Sequence, residues 1–305
     1  MSKQQRAAVD AALRQPQPSA PRSIQASRAG FAELMATMHV PTGVRRETTV
    51  LGGRPALLVE PESGAVADGT ILYFHGGSFV LGSPDTAISL TANLVIRSGV
   101  RAISLDYRLA PEHPFPAAIE DCLAAYRELL ERGTDPSTIV FAGESAGGGL
   151  SITTCLAARA AGVPMPAAIV AFSPGLDATY TGASMLTKAG IDPIFIRERL
   201  VDTNSLYLGG QDPRQDLLSP AVVGDLTGLP PMLLQVGTNE VLLDDATRMA
   251  DRARAAEVDV ILDVVAGVPH VFQAFADRLS EAGDALDRAA LFVTQRVRGS
   301  VVTIG

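Results

Sequence analysis

The residues best suited to chemistry lie in the run Ile139-Val140-Phe141-Ala142-Gly143-Glu144-Ser145-Ala146-Gly147-Gly148-Gly149. Its first half is short, apolar, β-branched and aromatic, the pattern of a buried strand. It passes through Gly-Glu-Ser-Ala-Gly and opens into Leu150 to Ala160, which reads as a helix. A strand that becomes a helix across G-x-S-x-G is a nucleophile elbow. The turn projects the Ser145 hydroxyl clear of the sheet, while the helix aims its unpaired N–H groups and the positive end of its dipole at the reaction centre. Such a serine attacks acyl carbons.

A serine hydroxyl attacks only when a base takes its proton, and the usual base is a histidine oriented by a carboxylate. The chain has four histidines, His39, His75, His113 and His270, and only His270 follows Ser145. It sits in the turn Gly267-Val268-Pro269-His270, between the last expected strand and the last expected helix. The acid belongs at the carboxyl end of the preceding strand, where ligands and catalytic groups collect in open α/β sheets. Strand Met232 to Val236 runs into Gly237-Thr238-Asn239-Glu240, so Glu240 is the first carboxylate past it. Asp244 and Asp245 fall one turn on and suit the start of a helix. The spacing favours Glu240 and keeps Asp244 as the alternative. Donors for an oxyanion come from the Ala146 N–H, just after the serine, and from the loop His75-Gly76-Gly77-Ser78, with Gly76, Gly77 and Ser78 as candidates.

The elements that must position these groups alternate. Strands are expected at Glu47 to Leu51, Pro55 to Glu60, Thr70 to Phe74, Arg101 to Asp106, Ile139 to Gly143, Ala167 to Ser173, Met232 to Val236 and Val260 to Val265. Helices are expected over Thr86 to Arg97, Ala117 to Glu131, Leu150 to Ala160, Asp244 to Ala255 and Val271 to Val297. That alternation predicts an α/β chain with a mostly parallel sheet covered on both faces. The strand ending at Val265 partly alternates, which suits a sheet edge. Between Pro174 and Leu229 the alternation fails, and short helical pieces such as Pro193 to Tyr207 read as an insertion. Residues up to Val44 read as two helices broken around Pro16, Pro18 and Pro21. Phe31, Leu34, Met35 and Met38 give one apolar stripe, expected to roof a pocket.

The 305 residues are 47% hydrophobic and 19% charged, enough for one large α/β domain with an insertion. A net charge of −8 argues against nucleic acid or an anionic membrane as the main partner. Cys122 and Cys155 fall inside expected helices and read as buried, reduced thiols. The start of the chain shows no apolar signal core, and no apolar run approaches membrane-spanning length. The expectation is a cytoplasmic protein without stable membrane insertion; a homodimer stays open.

His75-Gly76-Gly77-Ser78-Phe79, Asp106-Tyr107-Arg108-Leu109-Ala110-Pro111-Glu112 and Gly143-Glu144-Ser145-Ala146-Gly147-Gly148 together resemble the bacterial hormone-sensitive-lipase-like (family IV) esterases of the α/β-hydrolase fold. The resemblance covers about residues 50 to 295. It implies a catalytic core over 46–174 and 229–298, with a cap made of helices in 1–45 and an insertion over 175–228. It also implies hydrolysis of short- to medium-chain acyl esters, with a small-molecule ester as partner and no metal or cofactor. By that match the oxyanion donors are the amides of Gly77, Ser78 and Ala146. Ser78 replaces the family's third glycine, and Glu240 stands where most members carry Asp. A lactonase, or a deacetylase or amidase, would use the same serine chemistry. A binder of this fold that has lost its triad is the non-enzymatic alternative, and the joint presence of Ser145, Glu240 and His270 argues against it.

Overall fold

Five consecutive buried residues, Thr70–Phe74, form one strand, and their alternation divides the core in two. Ile71 and Tyr73 face a layer with Leu94, Val140, Leu286 and Phe292. Leu72 and Phe74 face the opposite layer, with Tyr126, Phe141, Leu150 and Cys155. A strand buried at every position needs cover on both faces, which is the condition of a parallel sheet sandwiched by helices.

The computed structural model describes residues 2–15, 23–64 and 67–297. The break expected at Pro16, Pro18 and Pro21, and residue 298 at the end of the expected core, lie outside them. In chain order the described elements are α1 (Ser2–Leu13), α2 (Ile24–Met35), β1 (Val44–Leu51), β2 (Arg54–Pro61), β3 (Thr70–Phe74), α3 (Ile88–Ser98), β4 (Arg101–Leu105) and α4 (Ala117–Glu131). Then come β5 (Ile139–Glu144), α5 (Ala146–Ala160), β6 (Ala168–Phe172), α6 (Ser184–Thr187), α7 (Arg197–Leu208), β7 (Met232–Gly237), α8 (Leu243–Ala255), β8 (Val260–Val265) and α9 (Ser280–Val297). The sheet runs β1-β2-β4-β3-β5-β6-β7-β8, antiparallel at β1/β2 and β2/β4 and parallel elsewhere. All parallel strands therefore end on one edge. β8 lies at the side of the sheet, as its partly exposed pattern suggested. Both cysteines are buried and free.

One expected helix is broken. Residues 271–297 were expected as a single helix, but Val271 takes a left-handed backbone (φ 51°), a 3₁₀ turn covers Phe272–Phe275, and α9 begins only at Ser280. The cause is local: the Val271 N–H donates to Ser173 Oγ at 3.0 Å, and Phe272 and Phe275 are buried in a small cluster with Val9, Val268 and Leu279. Contacts that fix the loop beside His270 win over helix propagation.

The N-terminal helices dock by arginines. Arg6 of α1 donates to Ala266 O at 2.7 Å, and Arg14, just past the end of α1, donates to Ile191 O at 2.7 Å. From α2, Arg28 donates to Val80 O and Ala110 O, both at 2.9 Å, and pairs with Glu112. The apolar stripe behaves differently from expectation. Helix α2 has no buried residue, Leu34 is 47% exposed, and Met38 packs beside the Val9 cluster.

Among the described glycines the tightest approach is that of Gly147, where α5 meets β3. A Cβ on Gly147 would lie 1.9 Å from Phe74 O, and one on Gly143 would lie 2.5 Å from the same oxygen. A methyl group at either position would push helix and strand apart. Gly53 differs: it needs its positive φ of 71° for the two-residue β1–β2 turn, but nothing lies within 4 Å of its added Cβ. Gly147→Ala should therefore cost at least about 3 kcal/mol or abolish folding. Gly53→Ala should cost only about 1–2 kcal/mol, the left-handed penalty. Urea unfolding midpoints of the two variants check this, and equal costs would contradict it.

Candidate active site

Ser145 sits between β5 and α5 with φ 56° and ψ −119°, outside the regions an L-residue prefers. Such a backbone costs about 1–3 kcal/mol and persists only where the surroundings over-determine it. Here they do. The Ser145 N–H donates to Phe172 O at 2.8 Å, and its carbonyl accepts the Gly149 and Gly175 N–H groups, both at 3.1 Å. The strain lifts the hydroxyl off the sheet edge, with the close glycine contacts below it.

His270 comes from the loop after β8. Its Nε2 lies 3.0 Å from Ser145 Oγ, and its Nδ1 lies 2.8 Å from Glu240 Oε2. With the Nδ1 proton donated to the carboxylate, Nε2 is left to accept the serine proton. Glu240 is fully buried just past β7. Its other oxygen accepts from Ser173 Oγ at 2.8 Å and from the Gly237 N–H at 2.5 Å. A Cβ on Gly237 would sit 2.3 Å from Val268 O, so a glycine lets the strand end pass under the histidine loop. Ser173 also accepts the Val271 N–H, so one hydroxyl joins the acid to the backbone next to His270. The ring of Phe195 packs edge-on against His270 at 4.8 Å.

Asp244 lies elsewhere. In the first turn of α8 it accepts the Ser184 N–H at 2.9 Å, tying α8 to α6. Asp245 accepts the N–H groups of Leu176 and Asp177, and burial pushes its carboxyl up to about 8.

The loop after β3 takes positive φ at Gly77 (116°), Ser78 (55°) and Phe79 (62°). Among the described residues, the N–H groups of Gly77, Ser78 and Ala146 have no protein acceptor. Gly76 differs from its expected place among the donors: its N–H is held by Glu144 Oε1 at 2.6 Å and is not free for a substrate. His75 is fully buried, stacks on Tyr107 at 4.2 Å, and directs Nδ1 at Gly76 O. Burial lowers it to about 4, so it stays neutral and shapes the loop.

A cavity of about 60 Å³ opens beside Ser145 and Ala146. Its walls include Ser78 and Phe79 from the loop, and Leu200 and Tyr207 from α7. Phe79 stacks on Tyr207 at 3.8 Å, closing one side. The segment between β6 and β7 thus walls the cavity, whereas Phe31, Leu34, Met35 and Met38 are not among its lining residues. Ser173 and Phe195 carry no motif signal. Ser173 could have been found only by position, at the carboxyl end of the strand beside the elbow.

Comparisons with known proteins agree with this architecture. The family described as alpha/beta hydrolase fold matches residues 71–274. An acetyl-hydrolase of Streptomyces hygroscopicus is 42% identical over 280 residues, covering 90% of this chain and 89% of that protein. An esterase of Acinetobacter venetianus is 36% identical, covering 77% of this chain and 78% of its own. The crystal structure of an esterase from the bacterial hormone-sensitive lipase family superposes with a TM-score of 0.92 at 40% identity, covering 96% of this chain and 98% of that one. Among the described residues no helix is long and apolar enough to cross a membrane. The elbow, the sheet order and these likenesses place the chain in the α/β-hydrolase family, where it is a carboxylic ester hydrolase of the hormone-sensitive-lipase type.

Proposed function

We propose that this chain hydrolyses short- to medium-chain acyl esters through an acyl-enzyme on Ser145, with His270 as base and Glu240 as its orienting acid. The observation that carries the reading is the continuous line Ser145 Oγ, His270 Nε2, His270 Nδ1, Glu240 Oε2, with steps of 3.0 and 2.8 Å. Ser145 Oγ attacks the ester carbonyl carbon as its proton passes to His270 Nε2. The C=O π pair moves onto oxygen, which the Gly77, Ser78 and Ala146 amides receive. Collapse of this intermediate breaks the bond to the alcohol oxygen, which leaves with the proton from His270. Water, deprotonated by the same nitrogen, then attacks the acyl-Ser145 carbon, and the carboxylic acid departs as Ser145 is reprotonated. Glu240 keeps its charge throughout and stabilises the imidazolium. The small apolar cavity suits a short acyl group. The name of the Streptomyces hygroscopicus relative favours acetyl as the preferred acyl, which is the second reading within the same chemistry.

Ser145→Ala should lower kcat by at least about 10³-fold while leaving residual turnover over water. An organophosphonate should add once, on Ser145, in intact and peptide mass spectra. An adduct elsewhere, or a fully active Ser145→Ala protein, would sink the nucleophile assignment.

Glu240→Gln and Asp244→Asn separate the two carboxylates. The first should lose most of its turnover while remaining folded, because the amide no longer holds the correct histidine tautomer. The second should keep its turnover and melt earlier, with about 0.5–2 kcal/mol lost with the α6–α8 tie. Turnover numbers and thermal melts of the pair decide it, and the reverse pattern would move the acid to Asp244.

A further inference from the structure

Glu144 brings a carboxylate to the site that the line from Ser145 to Glu240 does not use. It is buried, and both oxygens are occupied: Oε1 accepts the Gly76 N–H at 2.6 Å and Oε2 accepts the Tyr73 hydroxyl at 2.6 Å. Gly76 opens the loop in which Gly77, Ser78 and Phe79 all have positive φ. Two successive non-glycine residues in that region are costly, so the loop keeps its shape only where contacts hold it, among them the bonds to Gly77 O from the Val80 and Leu81 N–H groups and to Phe79 O from the Ala110 N–H. Tyr107 holds one end through His75 O at 2.7 Å, and Arg28 holds the other through Val80 O at 2.9 Å. Between them, the bond from Glu144 is the one that grips an amide directly before the free donors. A Cβ on Gly76 would come within 3.0 Å of Glu144 O, which shows how closely loop and elbow meet.

We propose that the ionised Glu144 carboxylate is the positioning residue of the oxyanion loop. By holding the Gly76 amide it sets the direction of the Gly77 and Ser78 N–H groups, and loss of its charge slackens that hold. The inference rests on the reading of Ser145 as nucleophile. Neutralising Glu144 adds a donor to a group whose two oxygens already accept, so a proton there must displace the amide or turn the Tyr73 hydroxyl away. Burial raises Glu144 to about 7, against the bonds from Tyr73 and Gly76 and the nearby charge of His270. A carboxyl raised in this way is ionised above that pH and protonates as pH falls through it, so the grip is complete on the alkaline side. The groups facing it are Tyr73 and Tyr107, whose burial raises them well above the phenol value and keeps them neutral, neutral His75 next to Gly76, and His270.

The test measures kcat and KM separately on p-nitrophenyl acetate from about pH 5.5 to about pH 9, with the Ki of a trifluoromethyl ketone that forms an oxyanion on the serine. Glu144→Ala should lower kcat about 100-fold, leave KM within about 2-fold and weaken the ketone in parallel with kcat. Glu144→Gln keeps an oxygen for the Gly76 N–H but, like the protonated acid, turns a donor toward Tyr73, so at about pH 8.5 its kcat should fall between those of wild type and Glu144→Ala. Its acid limb should show one ionisation where wild type shows two. Wild-type kcat in Glu144→Ala, or a wild-type pH profile in Glu144→Gln, overturns the proposal. Should Glu144→Ala fail to fold, the Glu144→Gln profile decides alone, a lost ionisation supporting and an unchanged one refuting. A wild-type protein without a phosphonate adduct on Ser145 would instead sink the nucleophile reading. An adduct on Ser145 together with a wild-type Glu144→Gln profile sinks only the role of Glu144.

Discussion

The contact on which the site depends is the one between α5 and the end of β3, where glycines at 143 and 147 let two backbones meet over Phe74 O. Everything at the reaction centre is measured from it. The approach forces the abrupt turn at Ser145 into a left-handed backbone, and the turn delivers the hydroxyl. It also brings the carboxyl end of β3 beside that of β5, so the loop from His75 to Phe79 arises next to the serine. Two elements far apart in sequence thus share one origin, and their relative placement follows from main-chain contact that side-chain motion does not alter.

A second constraint is electrostatic. Glu240 has no solvent exposure, and an unpaired carboxylate so placed would be very costly. Three donors surround it: the His270 ring, the Ser173 hydroxyl and the Gly237 amide. The last two come from neighbouring parallel strands, whose common edge is set by the register Phe172↔Gln235. The sheet therefore solvates the Glu240 carboxylate, and that carboxylate in turn holds the His270 ring. Ser173 closes the loop of dependence by holding both Glu240 and the amide after His270.

Much of this is legible in the sequence because it follows from residue types at fixed offsets. The elbow, the Gly-Gly loop, the βα alternation and the placing of Glu240 ahead of Asp244 all rest on local pattern. What is not legible depends on tertiary contact. The apolar stripe from Phe31 to Met38 has helical spacing, but spacing does not say what the stripe faces: Leu34 is exposed, the other three are half-buried, and none lines the cavity beside Ser145. The helix expected from Val271 has adequate propensity, yet one hydrogen bond to Ser173 and the burial of Phe272 and Phe275 reshape its start. Gly76 looks like a donor because it shares the Gly-Gly loop with Gly77, whose amide is free; only the placement of Glu144 reveals that its own amide is already engaged. Likewise Phe195 lies in the piece expected as helical from Pro193, precedes α7 in the structure, and reaches the His270 ring only through the packing of the insertion.

The docking of α1 has a consequence for the order in which the molecule can be completed. Its Arg6 reaches Ala266 across 260 positions, and its Val9 is buried against residues from Val268 onward. During synthesis, Arg6 and Val9 have none of these partners until nearly the whole chain is made. Contacts of such long sequence separation are entropically slow to close and leave apolar surface waiting. The same closure brings Ala266, four residues before His270, under the grip of α1. The first helix of the chain therefore clasps the loop that carries His270, and the seating of that loop depends on both ends of the sequence.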